Sequence, residues 1–204
     1  MPSNVFLVRT GETAWRGKRV LGRRDVGLSE AGLAQAWAAA DSLAPVTVDE
    51  LIASPLARAT ETAGCIAERF KVDLARDQRL TAIDVGPWEG RALEDLERDP
   101  GYQKLRGLEG EAFPMGERLA DVRDRVVASV EQALTDNSTG SNIVLVLHGG
   151  PLRVALAHYL GMPLGHYPRL RAAHGSLSMV RFTPDYARCD VLVVNGGIPV
   201  HQAM

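Results

Sequence analysis

The chain has 204 residues, a formal net charge of −2 and a hydrophobic content of 46%. That size and composition are typical of one globular domain with a single sizeable core. A weakly acidic chain gives no electrostatic reason to expect nucleic acid or an anionic membrane as a partner. The two cysteines, Cys65 and Cys189, do not make a disulfide framework, and no apolar stretch is long enough to span a bilayer. We therefore expect a cytoplasmic protein.

The first half of the chain alternates between strand-like and helix-like segments. The apolar run 5–8 predicts a strand, and a loop rich in glycine and arginine follows it. Ser29 is a suitable N-cap for a helix from residue 30 to about residue 43. The apolar positions of that helix predict a buried face made of Leu33, Ala36, Trp37 and Ala40.

The middle of the chain continues this alternation and then becomes irregular. Residues 51–53 predict a strand, and Ser54 followed by proline predicts the start of a helix that runs to about residue 70. A third strand is expected at 80–83. Residues 84–116 are polar and punctuated by Gly and Pro, so we interpret them as a lid-like insertion within one domain that spans residues 1–204.

The last part of the chain shows the clearest periodicity. A long helix is expected at 117–135, with Leu119, Val122, Val126, Val130 and Leu134 on one face. The continuous apolar run 143–147 is typical of a buried parallel strand. A helix at 151–160 and closing strands at 177–182 and 191–194 complete the pattern.

Strands that alternate with helices predict an α/β fold, a three-layer α/β/α sandwich with a mostly parallel central sheet. Ligands of such folds bind beyond the carboxyl ends of the strands. Arg9, Ser54 and His148 each follow a predicted strand directly. We therefore expect these three side chains to meet in one site.

Each of these positions belongs to a longer motif. Residues 9–13 read Arg-Thr-Gly-Glu-Thr, in which Gly11 permits a close approach between the backbone and an anion. Residues 54–63 read Ser-Pro-Leu-Ala-Arg-Ala-Thr-Glu-Thr-Ala and place Arg58 in the first turn of a helix, where the dipole favours an anion. Residues 148–150 read His-Gly-Gly at the end of a buried strand. Alone, each arginine would more often be a surface residue.

The three motifs, in this order, resemble the signatures of the histidine phosphatase superfamily, in its phosphoglycerate mutase-like branch. Trp88-Glu89-Gly90, Gly116-Glu117 and Arg153 extend the resemblance. It implies a phosphoglycerate mutase-like fold with an anion pocket made by Arg9, Arg58 and His148. His148 would be the second histidine that faces the transferred phosphoryl group.

Two residues depart from the family pattern at the positions that carry its chemistry. The phosphate-accepting histidine corresponds to Thr10, and the usual acid glutamate corresponds to Ala82 in the segment 79–90. A threonine hydroxyl is a poor nucleophile unless a base removes its proton, and alanine donates nothing. Loss of a nucleophile typically lowers kcat by about 10⁴ to 10⁶. We therefore expect ordinary phosphohistidine turnover to be absent.

The anion-binding residues are nevertheless retained, and the mouth of the pocket gains cations. Three hypotheses follow from this pattern. The first is a repurposed enzyme, an isomerase, lyase, cyclase or hydrolase, in which His148 transfers protons with Glu89, Asp84 or His174 as partner. The second is a pseudophosphatase that binds a phosphorylated ligand or protein. The third is a weak phosphomonoesterase in which His148 replaces the missing nucleophile.

The candidate site has a catalytic and a binding part. The catalytic candidates are His148, Glu89 and His174. The candidates for anion or substrate binding are Arg9, Thr10, Arg16, Gly22, Arg24, Arg58, Ala82 and Gly149. The five histidines lack ligand-type spacing, so we expect neither a metal nor a cofactor. The expected partner is a small anionic metabolite, with neither nucleic acid nor membrane as partner, and a homodimer is kept as a candidate assembly.

Overall fold

A computed structural model of the chain describes residues 1–106 and 112–196. Its strands are β1 (Ser3–Arg9), β2 (Glu50–Ala53), β3 (Leu74–Arg76), β4 (Asn142–Leu147), β5 (Leu177–Phe182) and β6 (Cys189–Gly196). Its helices are α1 (Glu30–Ser42), α2 (Ala57–Phe70), α3 (Leu93–Leu96), α4 (Pro100–Arg106), α5 (Leu119–Asp136) and α6 (Gly149–Tyr159). The strands form one sheet in the order β3-β2-β4-β1-β5-β6. The pairs β3-β2, β2-β4 and β4-β1 are parallel, and β5 and β6 close the sheet with antiparallel pairs.

The alternation of side chains along β1 divides the core into two layers. Val5 and Leu7 point into a cluster that includes the buried faces of α5 and α6, whereas Phe6 and Val8 point into a cluster with α1 and α2. All four side chains are buried. The protein is therefore a three-layer α/β/α sandwich with a mostly parallel sheet, as predicted. The five apolar positions predicted for α5 are all buried as well.

The predicted third strand at 80–83 is wrong. The strand lies earlier, at Leu74–Arg76, and Gln78–Leu80 is a 3₁₀ turn. Arg125 of α5 explains the difference, because its guanidinium donates to the carbonyls of Arg79, Thr81 and Ala82. Those carbonyls are therefore not available to accept hydrogen bonds from a neighbouring strand.

The start of α2 also differs from the prediction. The helix begins at Ala57, and Leu56 precedes it in an extended conformation without a side-chain cap. The residue before a proline avoids the helical region, which keeps Ser54 outside the helix. The carboxylate of Asp25 instead accepts a hydrogen bond from the N–H of Ala57 at 2.7 Å. In α1, Ser29 caps the helix as predicted, but Leu33 is exposed and Ala39 takes its place in the core.

The segment proposed as a lid-like insertion packs on the α5 side of the sheet. Trp88 is buried and makes edge contacts with the rings of Tyr102 and Phe113, at centroid distances of 5.5 and 5.8 Å. Leu96 of α3 is buried in the same cluster. Residues 107–111 of the predicted insertion lie outside the described part of the chain. Among the described helices, none combines the length and apolar character that crossing a membrane requires.

Candidate active site

The carboxyl ends of β2, β4 and β1 lie side by side and open into a cavity of about 380 Å³, here called the inner cavity. Arg9 ends β1, Ser54 follows β2, and His148 follows β4 and caps α6. The parallel register aligns these ends, since Arg9 pairs with Leu147 and Ala53 with Val146. Arg9 and His148 line the inner cavity, whereas Ser54 does not line it and contacts Nε2 of His148 through its Oγ at 2.8 Å.

The inner cavity is strongly cationic. Its charged lining consists of five arginines, and no carboxylate side chain lines it among the described residues. The arginines are Arg9, Arg16, Arg19, Arg58 and Arg153. A concave surface lined by one sign of charge concentrates the electric field inside it. The cavity is therefore suited to an anion.

Arg58 is held in place by backbone carbonyls. Its side chain is buried, and its two Nη atoms donate to the carbonyls of Gly22 at 2.6 Å and Arg24 at 2.9 Å. Its Nε donates to Nδ1 of His148 at 3.1 Å. A guanidinium has five N–H groups, so two of them remain for a ligand.

Arg9 is held in the same way from the other side of the cavity. Its Nη1 donates to the carbonyl of Ala172, and its Nη2 donates to Nε2 of His174 at 2.9 Å. Each Nη atom keeps one more N–H, while Nε is buried without a hydrogen-bond partner in the described structure. Burial and the repulsion from Arg153 and Arg16 lower the pKa of Arg9 to about 10, which leaves the group charged at neutral pH.

The geometry fixes the tautomer of His148. Arginine can only donate, so Nδ1 of His148 must accept the hydrogen bond from Arg58. The proton of the neutral ring then lies on Nε2, which donates to Oγ of Ser54 at 2.8 Å. Burial and the charge of Arg58 lower the pKa of His148 well below its ordinary value of 6.5. His148 is therefore neutral, and both ring nitrogens have partners within the protein.

His174 is arranged in the same manner. Its Nε2 accepts from Arg9, so Nδ1 carries the proton and donates to the carbonyl of Thr10 at 3.2 Å. Burial and the neighbouring Arg9 lower the pKa of His174 to about 4. Neither imidazole is a proton donor toward the cavity in this state.

Comparison with known proteins identifies the family. Residues 5–195 match the histidine phosphatase superfamily (branch 1). The chain belongs to the histidine phosphatase superfamily. A relative named as a probable phosphoglycerate mutase, from Yersinia pestis (strain Pestoides F), is 34% identical over 182 residues, which cover 87% of this chain and 84% of the relative.

Solved structures of the superfamily share the fold over nearly the whole chain. Mycobacterial glucosyl-3-phosphoglycerate phosphatase in complex with inorganic phosphate superimposes with a TM-score of 0.83 at 27% identity, covering 95% of this chain and 97% of the other. A mutant of phosphoserine phosphatase from Entamoeba histolytica, with alanine in place of a histidine and in complex with phosphoserine, gives a TM-score of 0.83 at 25% identity. That match covers 95% of this chain and 96% of the other.

The two positions predicted to depart from the superfamily pattern both face the inner cavity. Thr10 and Ala82 line it and are each only 3% exposed. The backbone N–H of Thr10 donates to the carbonyl of Leu147 at 3.0 Å, which anchors the residue beside β4. Arg125 holds the carbonyl of Ala82 from behind and is itself paired with Glu117 at 2.8 Å. The backbone at both positions is therefore held by hydrogen bonds to neighbouring elements.

Several predicted site residues lie behind the cavity wall. Glu89, Gly22 and Arg24 do not line the inner cavity. The carboxylate of Glu89 accepts from the backbone N–H groups of Gly22 at 3.1 Å and Arg24 at 3.3 Å, so it fixes the loop whose carbonyls hold Arg58. Asp84, a further predicted partner of His148, is likewise absent from the lining and pairs with Arg23 at 3.8 Å. The hydrogen bonds from Gly22 and Arg24 to Glu89 support a positioning role for Glu89.

Gly11, predicted to permit a close approach between the backbone and an anion, lines the inner cavity and also has a packing role. Its N–H donates to Oγ1 of Thr62 at 3.1 Å and is therefore occupied. A Cβ at Gly11 would lie 2.2 Å from the carbonyl oxygen of Gly32, so glycine is required here for packing against α1. Trp88 is buried and does not line the cavity, whereas Trp15 does.

Sequence reasoning did not include Arg153, Arg19 and Thr13 among the site residues. Arg153 lies four residues after Gly149 in α6, and residues four apart share one face of a helix. That spacing would have placed Arg153 beside the motif at 148–150. Arg19 and Thr13 lie in an irregular loop, and no periodic signal marks them.

Among the described residues, no group of three or more histidine, cysteine or carboxylate side chains is arranged to hold a metal ion. His148 and His174, which line the inner cavity, are engaged with Arg58 and Arg9.

The titration of His174 predicts how stability depends on pH. Its pKa is about 4 in the folded chain and near 6.5 when unfolded, so the unfolded chain binds more protons between these values. The free energy of unfolding therefore rises with pH from about 4 to about 6.5. His174→Asn removes this contribution, so its stability difference from the parent should shrink as the pH falls from 7 to 5. Urea unfolding of both proteins measures this, and a constant difference would contradict it.

Proposed function

We propose that this chain binds a small phosphomonoester in the inner cavity and does not transfer its phosphoryl group. The observation that carries this proposal is the set of N–H groups left on Arg9 and Arg58. Each arginine donates some of its N–H groups to carbonyl and imidazole acceptors and keeps two Nη hydrogens for a ligand. Arginine forks of this kind match the oxygens of a phosphate.

The absence of turnover is supported by the residues that surround the phosphate position. Thr10 and Ala82 offer neither an imidazole nucleophile nor a carboxylic acid. His148 does not replace the nucleophile, because the lone pair on Nδ1 accepts from Arg58 and Nε2 carries the proton. The weak phosphomonoesterase is thus the less favoured hypothesis.

A repurposed acid–base enzyme, the first of the three hypotheses, has less support in the site. General acid–base catalysis needs a group that changes protonation near neutral pH. Both imidazoles are neutral and engaged, and the described lining of the inner cavity has no carboxylate. The superfamily relatives are named as phosphatases and mutases, which gives no support to another reaction.

Two structural neighbours favour binding. One is named as a complex of a phosphatase with inorganic phosphate, and the other as a phosphoserine complex of a mutant that has lost a histidine. The second case is a precedent for ligand binding by a superfamily member with a histidine replaced. A cavity of about 380 Å³ also has a size that suits a small ligand better than a protein partner.

Titration calorimetry with butyl phosphate tests this function. We expect saturable binding with one site, and we expect p-nitrophenyl phosphate to compete for it while remaining uncleaved. Butyl sulfate, which carries one charge less, should bind more weakly. Failure of the parent protein to bind any phosphomonoester would refute the proposal.

Gly149→Ala provides a sharper test of Arg9. A Cβ at Gly149 would lie 2.8 Å from Nε of Arg9, so the guanidinium must move away from its position in the cavity. We expect the affinity for butyl phosphate to fall by about tenfold, the equivalent of one charged hydrogen bond. Gly64→Ala in α2 is the matched control, because its Cβ meets nothing within 4 Å. That variant should gain about 0.5 to 1 kcal/mol of stability and keep its affinity. Unchanged binding by Gly149→Ala would contradict the role of Arg9.

A further inference from the structure

A cavity of about 510 Å³, here called the rear cavity, lies at the opposite end of the sheet from the inner cavity. Phe182 lines it and pairs with Ser3 at the start of β1, whereas Arg9, at the end of β1, lines the inner cavity. A strand rises about 3.3 Å per residue, so the two cavities lie roughly 20 Å apart. Their linings share no described residue. We propose that the rear cavity is a separate ligand site, which binds a small uncharged aromatic molecule that carries a carbonyl group.

The lining of the rear cavity is aromatic, and its charges cancel. Its rings belong to His158, Tyr159, Phe182 and Tyr186. Its described lining has one carboxylate, on Glu131, and one guanidinium, on Arg188, whereas the inner cavity has five arginines and no carboxylate. Aromatic rings pack favourably against one another in edge or offset geometry. The lining therefore suits an aromatic ligand without a net charge.

One wall of the rear cavity is already fixed by the fold. Tyr186 has a φ of 56°, in the left-handed region that is uncommon for a bulky residue. Its hydroxyl donates to the carbonyl of Leu134 in the last turn of α5 at 2.8 Å, and its N–H donates to the carbonyl of Thr183 at 2.8 Å. These two hydrogen bonds hold the ring against α5. A wall that is ordered before the ligand enters lowers the entropy cost of binding.

The hydroxyl of Tyr159 is the polar group that the rear cavity offers to a ligand. It is buried and has no hydrogen-bond partner in the described structure. Burial, with smaller contributions from Cys189 and Glu131, raises the pKa of Tyr159 above its ordinary value of 10, so the hydroxyl keeps its proton and can donate. Cys189 and Glu131 both line the cavity, which places the hydroxyl at the cavity wall.

A ligand carbonyl would supply the acceptor that this hydroxyl lacks. A buried hydroxyl without a partner has lost its hydrogen bonds to water, so a bond to a ligand recovers that loss. His158 and Arg188, which also line the cavity, are exposed. Exposed side chains commonly change rotamer when a ligand binds, which opens a path to the hydroxyl.

Acetophenone and ethylbenzene are the probes that test this site, since they differ only by a carbonyl oxygen in place of two hydrogens. Amide NMR titrations give the dissociation constant of each probe for the parent and for Tyr159→Phe. The variant removes the hydroxyl and keeps the ring, so the affinity for acetophenone relative to ethylbenzene should fall by at least about tenfold. Taking this ratio removes the difference in hydration between the free probes. Tyr167→Phe is the matched control, because Tyr167 is a buried tyrosine that does not line the rear cavity, and it should keep the ratio of the parent.

Val127→Phe locates the binding in the rear cavity. Val127 is half-buried and lines the cavity, so a larger ring there fills part of it. The affinity for both probes should fall by at least about tenfold, whereas the affinity for butyl phosphate should not change, since Val127 does not line the inner cavity. If this variant does not fold, the ratio measured with Tyr159→Phe still decides. That variant should unfold at the same or a higher urea concentration than the parent, because the hydroxyl it loses has no partner.

Three results would overturn the inference. The first is that acetophenone does not bind to the parent up to its solubility limit. The second is a ratio of affinities that Tyr159→Phe leaves unchanged, and the third is binding of the probes that survives in folded Val127→Phe. None of these results concerns the inner cavity, whose proposed function is tested by phosphomonoesters alone.

Discussion

Thr10→His combined with Ala82→Glu is expected to give this chain measurable phosphomonoesterase activity. Both positions line the inner cavity, and the arginines that would hold a phosphate are already in place. Because a missing nucleophile typically costs about 10⁴ to 10⁶ in kcat, restoring it should raise turnover of p-nitrophenyl phosphate by at least about 10³. Release of p-nitrophenol measures the rate. Acid-labile phosphate on the protein would identify a phosphohistidine.

The matched control is Thr10→Asn combined with Ala82→Gln. It introduces polar side chains of similar shape, without an imidazole and without a carboxylic acid. Each single change, Thr10→His or Ala82→Glu, should give less than the pair, because nucleophile and acid act as a unit. A folded double variant that is no faster than this control would refute the interpretation of Thr10 and Ala82 as the vacated catalytic positions.

Arg58→Lys is expected to lower the affinity for butyl phosphate by about 30-fold or more, although it keeps the positive charge. A lysine has one nitrogen where Arg58 places three around His148, Gly22 and Arg24, so it cannot hold these groups and a ligand together. The acceptors left unpaired in a buried site should also cost about 1 to 3 kcal/mol of stability. Calorimetry well below the unfolding temperature separates the two effects, and urea unfolding gives the second.

Arg76→Lys is the control for this change, since it makes the same replacement at an exposed site outside the cavity. It should alter neither affinity nor stability by more than a few tenths of a kcal/mol. Full affinity in Arg58→Lys would mean that charge alone holds the anion. The fork of N–H groups on Arg58 would then have no role in recognition.

The position of the site was predictable because it follows from topology. Arg9, Ser54 and His148 each come directly after an apolar run, and parallel strands bring their carboxyl ends together. The position of the third strand was not predictable in the same way, since it lies at Leu74–Arg76 and not at 80–83. The carbonyls of Arg79, Thr81 and Ala82 accept hydrogen bonds from Arg125, a residue more than forty positions away in the chain. A local pattern carries no information about such a long-range contact.

The protonation and hydrogen-bonding roles of the site residues could not be predicted from the sequence either. His148 follows a strand in a motif typical of a catalytic residue, which favoured a role in proton transfer. Its bonds to Arg58 and Ser54 fix it as a neutral, fully engaged ring. Glu89 was likewise placed in the right neighbourhood, although its carboxylate serves the backbone of the loop at 22–24. Donor and acceptor roles depend on distances of a few ångströms, and those distances come only from the fold.

Phosphorus NMR of the wild-type chain with a phosphomonoester in excess tests binding and turnover together. We predict that the butyl phosphate resonance broadens and shifts on addition of protein, that inorganic phosphate does not accumulate over a day, and that Arg58→Lys abolishes the shift. An inorganic phosphate signal that grows with protein concentration and disappears in His148→Ala would contradict a pocket that binds phosphate esters without cleaving them.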